Sequence, residues 1–388
     1  MPHNWFRPLL QVISAAAVGW VGWSGEVLLL PVSALFPALW STAENRAQAA
    51  LVSTAYFLSA SRGLPQGVAT FYASDLWPGL ILWLIASSAF VVVHTSCWTG
   101  RSGWRRGIFY LGASVLMAVP PFGILGWAHP ITAAGVVFPG WGWSGLALMA
   151  AGLAVMTTWL RPAAAIALMS FWLWSAAEWT TQSLLSGWHG VDLDFGASLG
   201  RVSNLDRHRA LAATVRAANQ GQGSVVVLPE SALGFWTPTV ERLWNHELNG
   251  TGLIVLAGAA VLNDDGYDNV LVSISEKGGE VAYRERMPVP GSMWQPWQAW
   301  TGGDGGAKAH FFGDSAAFVG NTHIAPLICY ELLVAWPVLQ SMLRDPDAIV
   351  AVGNGWWTAG TSIVDIQRAS AQAWARLFDK PLVISFNT

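Results

Sequence analysis

Residues 1–190 contain no lysine, seven arginines and four carboxylates, yet they carry seven apolar runs, at 9–23, 26–40, 47–58, 77–96, 107–127, 143–160 and 162–186. Helices this poor in charge have no polar face to turn towards water, so the surroundings they suit are lipid. The whole chain agrees. It is 53% hydrophobic and 11% charged with 25 tryptophans, against roughly 45–50% apolar and 25% charged in an ordinary soluble domain. The sequence predicts a multi-span α-helical membrane domain of about five to seven spans over 1–190. A water-soluble domain is predicted over 191–388, with the boundary near 187–194. The last four runs reach the roughly 20 residues a bilayer needs. The first three are short, and Pro31 and Pro37 interrupt the second, which leaves a re-entrant hairpin or a single broken span open.

Arginine placement predicts the orientation. If all seven runs cross, Arg7, Arg46, the cluster Arg101, Arg105 and Arg106, and Arg161 share one side, and only Arg62 lies on the other. The arginine-rich side is expected to be cytoplasmic. The expected location is therefore the bacterial inner membrane, with lipids as partners and the C-terminal domain in the periplasm. The first run lacks a small-residue cleavage site and further runs follow, so no cleavable signal peptide is expected. Cys97 and Cys329 fall on opposite faces and cannot pair, and no paired-cysteine zinc signature exists. His94 and Cys97 have helical i, i+3 spacing, but two ligands make a weak metal site and packing is the expected role. The pairs Trp20/Trp23, Trp141/Trp143 and Trp172/Trp174 read as interfacial belts.

The second half alternates strands and helices. Helix patterns cover 207–219, 238–247, 332–343 and 363–378, and strand patterns cover 224–228, 252–260, 348–352 and 381–385. Strands 270–275 and 280–284 flank Glu276-Lys277-Gly278-Gly279, a hairpin signal. Residues 291–309 read as a loop. Such alternation predicts an α/β sandwich with at least part of its sheet parallel.

The stretch Ala325-Pro326-Leu327-Ile328-Cys329-Tyr330-Glu331 ends an apolar strand on a cysteine placed before a carboxylate. A strand end presents its side chain at the rim of a sheet, where ligands bind, and an activated thiol there can carry an acyl group. A buried packing cysteine is the other reading. About a hundred residues upstream, Leu228-Pro229-Glu230-Ser231 places a second carboxylate at the end of another strand.

Four segments resemble the nitrilase, or carbon–nitrogen hydrolase, superfamily: Leu228-Pro229-Glu230-Ser231, Tyr283 to Pro290, Ile328-Cys329-Tyr330-Glu331, and Gly353-Asn354-Gly355-Trp356-Trp357. Apolar spans followed by this domain resemble the layout of apolipoprotein N-acyltransferase. The length and Ser61-Arg62-Gly63-Leu64-Pro65-Gln66-Gly67 resemble a family of conjugal-transfer proteins from plasmids of rhizobia and agrobacteria. The resemblance implies a nitrilase-like αββα sandwich, no cofactor and no metal. It also implies acyl transfer through a thioester, with Cys329 as nucleophile, Glu230 as general base, and a lysine stabilising the oxyanion. Glu331 matches a carboxylate of the acyltransferase branch, although a carboxylate after a strand is also a common helix-start residue.

The sequence departs from the pattern at the lysine, where Glu285 stands between Arg284 and Arg286. An arginine filling that role is one expectation. The acyltransferase's Pro-Phe-Gly-Glu segment reads Gly291-Ser292-Met293 here, and the chain stops at Asn387-Thr388 where relatives continue, so a domain truncated at its C-terminus is expected. Two functions follow from this reading. One is a membrane-bound, cysteine-dependent amidase or N-acyltransferase of plasmid transfer, acting on an amide or acyl substrate. The other is a catalytically degenerate nitrilase fold serving as scaffold or binding module among other conjugal-transfer proteins. Direct nucleic-acid binding is expected in neither.

Overall fold

The computed structural model describes residues 6–180, 183–198, 204–218, 224–298 and 306–388. Asn219 and residues 299–305, parts of an expected helix and loop, lie outside the described residues. The chain forms two compact units. The first comprises Met1–Gln182, Leu333–Trp336 and Gly360–Asp379, and the second Ser183–Leu332, Pro337–Ala359 and Lys380–Thr388.

The first unit is helical. Helix Phe6–Gly22 packs on helix Arg46–Ala60, and a Cβ on Gly19 would run into the carbonyl of Tyr56, the close approach that small residues permit between apolar helices. The Tyr56 hydroxyl accepts from Trp23 Nε1 at 2.9 Å and donates to the Ala128 carbonyl at 2.9 Å. Helix Ile363–Leu377, from the far end of the sequence, belongs to this unit. Its Arg376 lies 4.0 Å over the Trp179 ring and donates to the Thr180 carbonyl at 2.7 Å.

Helix length bears on the expected number of spans. Leu76–Cys97, with 22 residues, is the one helix among those described that is long and apolar enough to cross a bilayer, whereas Phe6–Gly22 and Gly142–Val155 are apolar but shorter. Run 107–127 breaks at Pro120-Pro121, with helix Trp104–Ala118 before and a 3-10 turn Phe122–Leu125 after, because proline supplies no backbone donor and clashes with the preceding turn. Run 26–40 is a 3-10 helix, Val27–Leu35, leading into the short helix Phe36–Ser41, a broken element of the kind its prolines suggest. Helix Leu76–Cys97 buries Gly79, Ala86, Ser87, Phe90, Val93 and His94 and exposes Trp77, Leu80, Ile81, Leu84, Ile85 and Val92. Most of its larger apolar side chains thus face outward, with Phe90 and Val93 the inward exceptions, whereas a helix on a water-soluble core turns its apolar face inward.

The second unit is a two-sheet sandwich. One sheet has the order β1 (Trp188–Gly190), β2 (Val225–Val227), β3 (Ile254–Asn263), β4 (Gly266–Ser275) and β5 (Gly278–Arg284). The other runs β6 (Ala317–Val319), β7 (Thr322–Ile328), β8 (Ala348–Asn354) and β9 (Leu382–Asn387). Strands β1–β2–β3 and β7–β8–β9 are parallel, and β2 is buried on both faces, as a continuous valine run requires. Val225, Val227, Leu256, Leu271 and Tyr283 of the first sheet pack against Ile324, Ile328, Val350, Val352 and Val383 of the second. Val226, Val255, Val270 and Val272 face the other way, towards helices Leu205–Ala217 and Pro238–Leu248. Both helices start on side-chain caps: Asn204 accepts from Arg207 N–H at 2.9 Å and Thr237 from Val240 N–H at 3.3 Å.

Candidate active site

Two strand ends of the second unit bring the expected pair together. Cys329 follows β7 directly and takes a left-handed backbone with φ 47°, a conformation costly for a residue with a side chain and typical of functional turns. Glu230 lies three residues past β2, in a turn that clamps onto β3. Gly258 N–H donates to the Pro229 carbonyl at 3.1 Å, and Leu233 N–H donates to the Gly258 carbonyl at 3.0 Å. A Cβ on Gly258 would come within 2.5 Å of Ser231 N and 2.7 Å of the Pro229 oxygen. Only glycine therefore allows the Glu230 turn to sit this close.

The Glu230 carboxylate is buried and hydrogen-bonded to the Cys329 side chain. Its Oε1 also accepts from Asn269 Nδ2 at 2.8 Å, and its Oε2 accepts from Asn354 N–H, at the end of β8, at 3.1 Å. Burial raises the Glu230 pKa to about 7, against the lowering effect of its bonds from Asn269, Cys329 and Asn354. A base with that pKa, touching a thiol, suits proton transfer near neutral pH.

Asn269 was not among the expected residues. It sits on β4 on the side of Leu271, facing the second sheet, and one nitrogen of its amide serves two carboxylates: Glu230 Oε1 and Glu285 Oε2, each at 2.8 Å. The signal for it was Asn263-Asp264-Asp265-Gly266, a turn sequence whose loop is Asp264-Asp265, so that β4 starts at Gly266 with Tyr267 and Asn269 on one face. Glu285 is buried, and its backbone N–H donates to the Asn269 carbonyl at 2.8 Å. Its Oε1 has no hydrogen-bond partner, which costs about 1–3 kcal/mol for a buried polar atom. Burial, then the nearby Glu230 and Glu331, push its pKa well above the carboxylate range.

Glu331 is buried and serves as an anchor. Its Oε1 accepts from Tyr283 Oη at 2.7 Å, Arg286 N–H at 2.8 Å and Met287 N–H at 3.3 Å, while Oε2 accepts from Ile328 N–H at 2.8 Å. It thus ties the end of β5 to the Cys329 turn. Tyr283 reaches it through a bulge: Val281 pairs with Val272, on the helix-facing side, but Tyr283 pairs with Leu271, on the inter-sheet side. A bulge of this kind re-aims a side chain.

Neither expected arginine points a free donor at the Glu230–Cys329 pair. Arg284 is half-exposed and pairs with Asp268 at 2.6 Å, and Asp268 also binds His310 Nε2 at 2.8 Å. Arg286 is fully buried. Its Nε donates to Tyr283 Oη at 2.8 Å, its Nη1 to the Pro337 carbonyl at 3.0 Å and to Gln340 Oε1 at 2.8 Å, and its Nη2 to Ser341 Oγ at 2.9 Å. Burial alone would lower its pKa, but Tyr283 and Glu331 hold it above its ordinary value. Strand alternation fails as a guide to Arg286 because β5 ends at Arg284. No cluster of three or more metal-ligating side chains occurs among the described residues.

A family model described as carbon-nitrogen hydrolase matches residues 58–376. The chain is 63% identical over its whole length to a protein of Sinorhizobium fredii named probable conjugal transfer protein TraB, all of which is covered. It is 58% identical to the conjugal transfer protein TraB of Agrobacterium fabrum, covering 99% of this chain and 93% of that one. Among solved structures, a carbon-nitrogen hydrolase from Helicobacter pylori G27 matches at 13% identity and a TM-score of 0.35, covering 51% of this chain and 72% of its own.

Proposed function

The chain belongs to the carbon–nitrogen hydrolase family, and from that premise we propose that it is a membrane-bound, cysteine-dependent amidase or N-acyltransferase working in plasmid conjugal transfer. The observation that carries the chemistry is the hydrogen-bonded Glu230–Cys329 pair, with the thiol on a left-handed turn at a strand end. Glu230 takes the thiol proton as Sγ attacks an acyl carbon, the leaving amine departs with that proton, and water or a second amine resolves the thioester. Asn269 and Asn354 orient the base, while Glu331 and Arg286 hold the frame around the Cys329 turn. The role in conjugation is supported by the names of the two full-length relatives.

Membrane attachment is supported by the outward apolar faces of the first unit. Besides Leu76–Cys97, helix Phe6–Gly22 exposes Phe6, Leu9, Leu10 and Ile13, and helix Arg161–Ala177 exposes Ile166, Met169 and Leu173. A multi-pass arrangement in the inner membrane, with shorter helices and broken elements alongside one full span, would cover these faces. The arginine asymmetry favours a periplasmic second unit. Lipids, other conjugal-transfer proteins and an amide or acyl substrate are the partners of this reading.

Thiol reactivity tests the chemistry. Iodoacetamide should label Cys329 faster than Cys97 in the detergent-solubilised chain, and Glu230→Gln should slow that labelling. Slow labelling indifferent to Glu230 would instead leave a catalytically degenerate scaffold. That second reading is favoured by one observation: Arg284 and Arg286, the cations flanking the family's lysine position, are both engaged elsewhere.

A further inference from the structure

We propose that Glu285 is the oxyanion donor of this site, acting as a neutral carboxylic acid whose Oε1–H hydrogen-bonds the substrate carbonyl oxygen while Cys329 attacks. This rests on the acyl-transfer reading above. The first observation is the unpartnered Oε1, buried in a site where almost every other polar atom is bonded. The second is placement. Glu285 Oε2 and Glu230 Oε1 share one Asn269 nitrogen at 2.8 Å each, and Glu230 bonds the Cys329 side chain. The free oxygen therefore belongs to a carboxyl one amide away from the base–nucleophile pair.

The proton's position follows from the same geometry. Oε2 accepts from Asn269, so the acid's hydrogen belongs on Oε1. The titratable groups acting on Glu285 are Glu230, Glu331 and, from β4, Tyr267; all are neutral or negative. Arg284 is taken by Asp268 and Arg286 by Tyr283, Gln340 and Ser341. Ionising Glu285 would add a further negative charge to a buried group of carboxylates whose buried cation, Arg286, already pairs with Glu331. Burial, with Glu230 and Glu331 close by, pushes Glu285 towards its neutral form. A carboxylic acid held neutral at neutral pH can serve as an oxyanion donor.

The step balances. Cys329 Sγ bonds the carbonyl carbon, its proton passes to Glu230, and the C=O π pair moves onto the oxygen, which accepts a hydrogen bond from Glu285 without taking its proton. On collapse the C=O bond re-forms, the bond to the leaving group breaks, and Glu230 returns its proton to a leaving amine. The thioester remains on Cys329. The family's lysine gives way here to a donor without charge.

The test compares two reagents on Cys329 in the full chain, with peptide mass spectrometry reading the Cys329 adduct. p-Nitrophenyl acetate acylates through a tetrahedral oxyanion, whereas iodoacetamide alkylates at a saturated carbon and forms none. Glu285→Ala should slow acylation on the order of 100- to 1000-fold and leave alkylation nearly unchanged. Glu285→Gln, which keeps both shape and a donor, should retain most of the acylation rate. If Glu285→Ala lowers both rates together, or neither, Glu285 is structural and the proposal is overturned. Loss of acylation in Glu285→Gln equal to that in Glu285→Ala overturns it as well. Slow alkylation of the parent chain, indifferent to Glu230→Gln, sinks the acyl-transfer reading and this inference with it. Prompt, Glu230-dependent alkylation without a selective Glu285→Ala effect sinks this inference alone.

Discussion

Glu331→Gln separates a residue that does chemistry from one that holds the frame. The substitution keeps the shape of the side chain but replaces one acceptor oxygen by an NH2 group. If the amide nitrogen takes the Oε2 position it faces Ile328 N–H, and at Oε1 it faces the N–H groups of Arg286 and Met287. Either way a buried donor meets a donor, which costs about 1–3 kcal/mol. The larger loss is charge. Arg286 Nε lies 3.7 Å from Glu331 Oε1 with both side chains fully buried, and removing one partner of a buried pair costs about 3–5 kcal/mol. Because both effects act in one network they do not add simply, and we take about 3–5 kcal/mol for the whole. For a unit of 150–250 residues each kcal/mol moves Tm by roughly 2–4 °C, so the expected fall is roughly 6–20 °C, read by a tryptophan-fluorescence melt. A melt unchanged within about 2 °C, combined with slower Cys329 labelling, would refute the anchoring role and put Glu331 in the reaction itself.

The two residues at the heart of the site were legible because each ends a short apolar strand: Glu230 after Val225–Val227 and Cys329 after Thr322–Ile328. A strand run shows in the sequence, and so does the polar residue at its rim. What surrounds the pair was less visible. Asn269 stayed hidden because strand propensity begins at Val270, whereas the hairpin turn at Asp264-Asp265 carries β4 back to Gly266. Tyr283 faces Glu331 only because of a bulge, and local sequence pattern does not reveal a one-residue slip against a partner strand. The helical period of Ile363–Leu377 was plain, but not the surface it packs on, since its alanine-rich face gives little sign of its partner. Hydropathy likewise found the apolar runs of the first unit without showing that the run holding Pro31 winds as a 3-10 helix or that a helix ends before Pro120-Pro121. Hydropathy sums transfer preference and is blind to backbone geometry.

Gly258→Ala should push the Glu230 turn off β3, destabilise the second unit by about 1–3 kcal/mol as overpacking does, and lower Cys329 labelling to the level of Glu230→Gln; unchanged labelling would refute the clamping role of Gly258. Alkaline phosphatase fused after Gly187 should be active and a fusion after Arg106 inactive, and the opposite pattern would reverse the proposed orientation. The final expectation concerns pH. Glu230 can take the thiol proton only when it is ionised, so iodoacetamide labelling of Cys329 should rise through about pH 7 and flatten above it, where the raised pKa of Glu230 places its ionisation. Asn269→Ala removes a hydrogen bond that favours the charged form of Glu230, so the midpoint should move up, by about one pH unit if that bond is worth some 1.4 kcal/mol. Glu230→Gln should abolish the step near pH 7 and leave only the rise at higher pH that comes from ionisation of the thiol itself. A midpoint that moves down in Asn269→Ala, or one that survives Glu230→Gln, would mean that another group governs the thiol and that the Glu230–Asn269 bond does not set the base.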